Sequence, residues 1–231
     1  MKYLNYREYK NLCIRKDSER NDRLHFFSSI ISVKVSYFLY RIGFTADFTT
    51  FLFGIFGIAS SIMFFYNFPI FAYLLWRFHI ILDMADGNIA RATKKFNPYA
   101  KISDKLTHII VNLMVFSSLF LSSEYIITSR NNLKLFITLL STYSIYFLFE
   151  IISSSTGFNS FIRVSSNIFA VTFKNICTQE GLLFFLSLIL FFEKKNIINS
   201  DSYYSIILIF YNITYLCAVL AKIYSLKIRK D

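Results

Sequence analysis

The residues that could do chemistry in this chain lie in two short stretches. The first is Leu82-Asp83-Met84-Ala85-Asp86-Gly87-Asn88-Ile89-Ala90-Arg91, with Lys94 and Lys95 just beyond, and the second is Asp104-Lys105-Leu106-Thr107-His108. On a helix, Asp83, Asp86, Gly87 and Ala90 fall at i, i+3, i+4 and i+7 and share one face; Asp104 and His108, at i and i+4, share a face of the next helix. Carboxylates one turn apart repel by ~0.2–0.5 kcal/mol on an exposed helix and more at low dielectric, so a positive group is expected between them. Hard oxygen ligands suit Mg²⁺, Mn²⁺ or Ca²⁺, and Mg²⁺ commonly joins a few carboxylates to substrate phosphates. Gly87 lets a ligand approach the backbone, Ala90 keeps the same face low, and Arg91 offers a planar fork suited to phosphate. The imidazole of His108, with an ordinary pKa of ~6.5, can accept a proton near neutrality or ligate a metal. The plainer alternative is that these acids pair with Arg91, Lys94 and Lys95 in a solvated loop. Two acids, a glycine, an alanine and an arginine on one helix, followed by an acid and an imidazole on the next, argue against it.

The elements that must hold these residues are apolar. Of 231 residues, 55% are hydrophobic, with 28 Phe and 16 Tyr, far beyond an ordinary soluble domain. A spanning helix needs about 20 mostly apolar residues, and long apolar runs predict spans at 51–66, 70–82, 109–121, 133–152, 182–192 and 203–224. The second, third and fifth are short and must extend into polar flanks; for the second and third those flanks are the acidic stretches. The pattern Leu24, Phe27, Ile31, Val35, Phe38, Leu39 recurs at helical spacing and predicts an N-terminal amphipathic helix lying in the membrane interface. The expected fold is therefore all-α and polytopic, residues 1–231 forming a single membrane domain of which 1–43 are a cytoplasmic and interfacial segment.

The net charge of +11 sits mostly between the apolar runs, which favours a membrane surface over nucleic acid as its partner. Lys and Arg before the first span, between the second and third, and at the end of the chain predict that both termini and the acidic stretches face the cytoplasm, at the cost of placing Arg130, Lys134, Lys194 and Lys195 outside. No apolar core of signal-peptide length precedes the first span, so that span is expected to direct insertion. Cys13, Cys177 and Cys217 are odd in number and far apart, and are expected to be free thiols that pack. Gly54 and Gly57, with Ala59, Ser60 and Ser61, give the first span a small-residue surface for close helix approach. Arg77, His79, Asn112 and Glu150 are costly in lipid and are expected to face the bundle interior, His79 and Asn112 as hydrogen-bonding core residues. Asn212-Ile-Thr matches a glycosylation acceptor but falls inside a span.

The run Asp83-x-x-Asp86-Gly87-x-x-Ala90-Arg91, eight residues, then Ala100-x-x-x-Asp104-x-x-x-His108, resembles the CDP-alcohol phosphotransferase signature D-x2-D-G-x2-A-R-x8-G-x3-D-x3-D. Six of eight fixed positions agree; Ala100 stands for the second glycine and His108 for the last aspartate. The likeness covers residues 83–108, and the span plan with its interfacial helix is also similar to the family. Upstream, Ala46-Asp47-Phe48-Thr49-Thr50 lies where members often carry P-N-x-L-T, and only Thr50 agrees.

The resemblance implies that Asp83, Asp86 and Asp104, joined by His108, hold divalent metal, Mg²⁺ or Mn²⁺ and as a pair of ions. It implies that Thr50, Asp86, Gly87, Ala90 and Arg91 contact the CDP donor, and that Asp104 and His108 serve catalysis, His108 as the general base. The activity implied is a metal-dependent transferase of phospholipid or related head-group synthesis. It moves a phospho-alcohol group, such as phosphatidyl, from a CDP-alcohol to a small alcohol or phosphorylated polyol and releases CMP. A homodimer in a bacterial inner membrane is the implied setting. Two other readings stand beside it: a catalytically silent relative that binds a CDP-alcohol, and a small transporter with an acidic relay. Arg163 and Lys174, in the polar stretch 153–180, are candidate contacts for an anionic acceptor.

Overall fold

The computed structural model describes residues 4–13, 26–122, 129–155, 179–197 and 201–228. These residues form helices and no strand: α1 (Tyr6–Cys13), α2 (Phe26–Arg41), α3 (Ala46–Phe65), α4 (Pro69–Thr93), α5 (Ala100–Ser122), α6 (Arg130–Ser155), α7 (Gln179–Lys194) and α8 (Asp201–Ile228). They fall into two compact units, α1 to α5 and α6 to α8. Among the described residues two helices are long and apolar enough to cross a membrane, Ala46–Phe65 and Ile102–Ser122. Their outward faces are apolar: Phe51, Ile55, Ile58, Ile62 and Phe65 on α3, and Leu106, Ile110, Leu113 and Leu121 on α5, are exposed at helical spacing.

Local signals explain the helix ends. Asn5 and Glu8 form a reciprocal cap at the start of α1, the Asn5 carboxamide accepting from the Glu8 amide at 2.9 Å and the Glu8 carboxylate from the Asn5 amide at 3.0 Å. Thr45 caps α3 by accepting from the Phe48 amide at 3.2 Å. Pro69 begins α4, where its missing N–H costs nothing, and Lys94 ends it in a left-handed turn at φ 53°. The two short apolar runs do extend into their polar flanks. As helices, α4 continues unbroken past Asp83 and Asp86, and α5 starts ahead of Asp104.

In the first unit α4 and α5 both pack along α3, and α2 packs on α4. Leu39, Phe53, Leu82 and Ile89 form the core between α2, α3 and α4. The buried face of α2 is Ser32, Ser36 and Leu39, while Ile31 and Phe38 of the expected apolar face are exposed. The small serines permit a close approach, with Asn88 on α4 donating to the Ser32 hydroxyl at 3.4 Å. Between α3 and α4 the Ser60 hydroxyl donates to the Ala72 carbonyl at 2.7 Å.

In the second unit α8 packs on α6 and α7. Polar ties cross an apolar interior: Tyr204 donates to Glu193 at 2.7 Å, Ser205 donates to Asn132, and Asn212 donates to the Leu135 carbonyl at 3.0 Å. Asn212 is thus a packing residue of the α6–α8 contact.

The small-residue surface on α3 is used as expected, and the two glycines differ in how tightly. A Cβ at Gly57 would lie 2.6 Å from both methyls of Val111 and 3.0 Å from His79 Nδ1, whereas one at Gly54 would meet only Thr107 Cγ2, at 3.2 Å. Helix propensity favours alanine over glycine by about 1 kcal/mol, but overpacking against a β-branched neighbour costs about 1–3 kcal/mol. Gly57→Ala is therefore expected to lower stability by about 1 kcal/mol, the middle of the net range, and Gly54→Ala to stay within about 0.5 kcal/mol of wild type. Unfolding midpoints of the purified protein check this; equal midpoints for Gly57→Ala and wild type would contradict the packing of α5 on α3.

Candidate metal centre

Three helices bring the site together. α4 supplies Asp83 and Asp86, α5 supplies Asp104 and His108, and α3, against which both pack, supplies Thr50 and Phe53. The loop joining α4 to α5 is tied back to the start of α3 by Asn97, which donates to Asp47 at 3.2 Å. The polar ends of all three helices therefore lie at one end of the unit.

The ligating atoms of Asp83, Asp104 and His108 lie within 4.8 Å of one another. His108 Nε2 is 3.2 Å from Asp83 Oδ1 and 3.4 Å from Asp104 Oδ1, with all three side chains half-buried to partly exposed. Asp104 Oδ1 is itself out of water and accepts no well-formed hydrogen bond, which leaves a hard oxygen with spare coordinating capacity. An imidazole nitrogen facing two carboxylate oxygens stays there by donating a proton; a divalent ion taken up by the same three atoms would replace that proton and meet the imidazole lone pair. Two carboxylates and one imidazole suit Mg²⁺ poorly as a complete shell but well as a partial one completed by substrate oxygens, and they suit Mn²⁺ directly. The donor set fits the expected metal.

The remaining expected residues are placed differently. Asp86 stands beside the three-residue cluster, not in it, and its Oδ2 lies 2.6 Å from the Thr50 hydroxyl, which also lies 3.1 Å from the Ala46 carbonyl. Two residues assigned to the CDP donor thus meet each other. Gly87 is close to Arg91, since a Cβ there would lie 3.2 Å from Nη1. Ala90 is half-buried next to it. Arg91 Nε donates to the Cys13 carbonyl at 3.1 Å, and Nη2 donates to Asn88 Oδ1 at 2.7 Å. The guanidinium expected to meet phosphate holds α1 in this structure. Arg163 and Lys174 lie outside the described residues, as does Cys177, and the side chain of Glu150 is not described. Asn112 is buried and Arg77 half-buried.

Two ring residues complete the site. His79, fully buried, has Nδ1 2.7 Å from the Phe53 carbonyl, as its expected role as a hydrogen-bonded core residue requires. Its ring centroid lies 5.5 Å from that of His108, and Phe53 stacks on His108 at 5.5 Å. The signal for this contact in the sequence is the i, i+4 spacing of His79 and Asp83; Phe53, one phenylalanine among 28, carries none.

Compared with known proteins, the chain matches no family model and no curated sequence. The reading of this centre rests on its own residues.

At the foot of the site, burial pushes the Tyr9 hydroxyl above its usual range and raises the Cys13 thiol as well. Tyr9 packs between Tyr37 and Tyr40 with centroids at 5.4 and 5.2 Å, and Cys13 Sγ lies 3.7 Å from the Asn88 carbonyl. A raised folded-state pKa means that the unfolded segment loses its proton first, so docking of α1 is at full strength below the ordinary thiol range near ~8.5 and weakens as pH rises through it. With Cys177 and Cys217 replaced by serine, Cys13 is expected to resist maleimide at neutral pH and to react severalfold faster in Arg91→Ala, measured as labelling rate. An unchanged rate would show that Arg91 does not hold α1.

Proposed function

We propose that the chain is a multi-pass membrane enzyme of the CDP-alcohol phosphotransferase kind, acting at the cytoplasmic face on a phospholipid or related head group. The observation that carries this reading is the convergence of Asp83, Asp104 and His108 from two helices to within 4.8 Å, with Asp86 and Thr50 paired beside them at 2.6 Å. All but Thr50, which lies upstream on α3, are positions of the motif that the sequence resembles, and α4 and α5 present them from helices whose continuations are apolar. Six spans with both termini cytoplasmic, and a homodimer, belong to the same proposal.

Asp83, Asp104 and His108 would hold the ion, and a divalent cation there supplies positive charge to a pyrophosphate and to its leaving group. Asp86 and Thr50 would face the donor together, the carboxylate already oriented by the 2.6 Å bond from the hydroxyl. His108 has two exclusive uses of Nε2, as ligand or as base, and its distances of 3.2 and 3.4 Å to the two carboxylates favour the ligand role. Where it does accept a proton, the same two carboxylates stabilise the resulting imidazolium.

A second reading, a relative that binds a CDP-alcohol without transferring it, is favoured by one observation. Arg91 is engaged by the Cys13 carbonyl and Asn88, and a donor phosphate must compete for it.

The test uses purified protein, CDP-diacylglycerol and a panel of alcohols with Mg²⁺ or Mn²⁺, read as CMP released and as Mn²⁺ bound. Asp104→Asn and His108→Ala are expected to weaken Mn²⁺ binding by about tenfold or more, the loss usual even for outer-shell partners. Asp86→Asn is expected to abolish CMP release with Mn²⁺ affinity within about threefold of wild type. Turnover surviving Asp86→Asn would sink the transferase assignment, and donor binding without turnover in wild type would establish the second reading.

A further inference from the structure

His79 does more than fill the core. It stands one turn before Asp83 on α4 and is fully buried, in a helix that the proposed topology takes across the membrane. A carbonyl oxygen only accepts, so the 2.7 Å contact between Nδ1 and the Phe53 carbonyl places the hydrogen on Nδ1. That fixes the tautomer of the neutral ring and leaves a lone pair on Nε2, which is buried with no hydrogen-bond partner. A half-satisfied imidazole in an apolar interior costs free energy that a phenylalanine would not.

The geometry shows what offsets that cost. The Phe53 ring stacks on His108 with centroids 5.5 Å apart and planes at 30°, and meets His79 edge-on at 5.1 Å and 64°. His79 meets His108 edge-on at 5.5 Å and 82°. The imidazole of His108 is thus flanked by the rings of two residues that are joined through the His79 bond to the Phe53 backbone carbonyl, and Nε2 faces Asp83 and Asp104. Gly57 makes the arrangement possible, because a Cβ there would stand 3.0 Å from His79 Nδ1.

We propose that His79 is a positioning residue that sets the orientation of the His108 imidazole for metal binding, acting through its Nδ1–H bond to the Phe53 backbone. The inference rests on the metal reading of Asp83, Asp104 and His108 and adds a residue that the motif does not contain. An ordinary core histidine would be replaceable by a ring of similar size, which gives the two roles different outcomes.

The experiment uses the full chain in lipid nanodiscs and Mn²⁺ alone, with affinity read by electron paramagnetic resonance and the imidazole ¹⁴N coupling by spin-echo modulation. Wild type is expected to bind with a ¹⁴N coupling that His108→Ala removes. His79→Phe is expected to weaken binding by about tenfold and to diminish the coupling. His79→Asn, whose amide N–H falls where Nδ1–H was, is expected to restore both, and His79→Gln, whose donor is one bond further out, is not. Wild-type affinity and coupling in His79→Phe overturn the inference alone, as does His79→Asn behaving no better than His79→Gln, a comparison that decides even where His79→Phe does not fold. Wild type that binds no Mn²⁺ overturns the metal reading and this inference together.

Discussion

Everything at the candidate site leans on the missing side chain at Gly57. Two helices must come close enough to α3 for groups on α4 and α5 to meet over it, and at this level the space a methyl would need is taken by Val111 from α5 and by the His79 ring from α4. In an apolar surrounding there is no hydrophobic gain in bringing helices together, so close packing of small residues and hydrogen bonds has to supply the attraction. α3 offers both. Its glycines admit α5, and its Ser60 hydroxyl reaches the Ala72 carbonyl of α4 at 2.7 Å.

The same economy governs the polar groups elsewhere. The Thr49 hydroxyl donates back to the Thr45 carbonyl at 2.9 Å, so its polarity is absorbed within its own helix. Asn88 reaches Ser32 on α2, and in the second unit Asn212 reaches Leu135 on α6. Each such tie satisfies a polar group inside an apolar interface. Against this background Asp104 Oδ1, which meets His108 only at 3.4 Å, and His79 Nε2, which has no hydrogen-bond partner, stand out.

Much of this was legible in the sequence, because the signals were local. Apolar runs marked the helices, the i, i+4 spacing marked Asp104 with His108, and adjacent small residues marked the contact face of α3. What was not legible depended on which helix faces which. The inward face of α2 is set by Ser32 and Ser36, which pack closely because they are small, while the larger Ile31 and Phe38 turn outward; a period in hydrophobicity points the apolar side inward and cannot foresee that. The separation of Asp86 from Asp83, Asp104 and His108 was equally hidden, since residues three apart on one helix share a face but differ by about 60° in direction, and the Thr50 hydroxyl that Asp86 meets lies on another helix. Arg91 turned to Asn88 Oδ1 on its own helix at 2.7 Å and to a carbonyl 78 positions away in the chain at 3.1 Å.

That last contact ties the N-terminal segment to the site by a physical argument. α1 has 8 residues, too few for a helix to persist alone when isolated helices below about 12 residues are marginal in water. It stays helical because Tyr9 and Cys13 are buried against α2 and α4 and because Arg91 holds the carbonyl at its end. The guanidinium reaches that carbonyl from the α4 turn that carries Asn88 and Ala90, just past Asp86. Any anion that draws Arg91 toward the carboxylates must compete with the Cys13 carbonyl, and any loosening of α1 releases Nε from that carbonyl while Nη2 stays on Asn88. The occupancy of the site and the docking of α1 therefore draw on one side chain, with the five donors of a guanidinium divided between them.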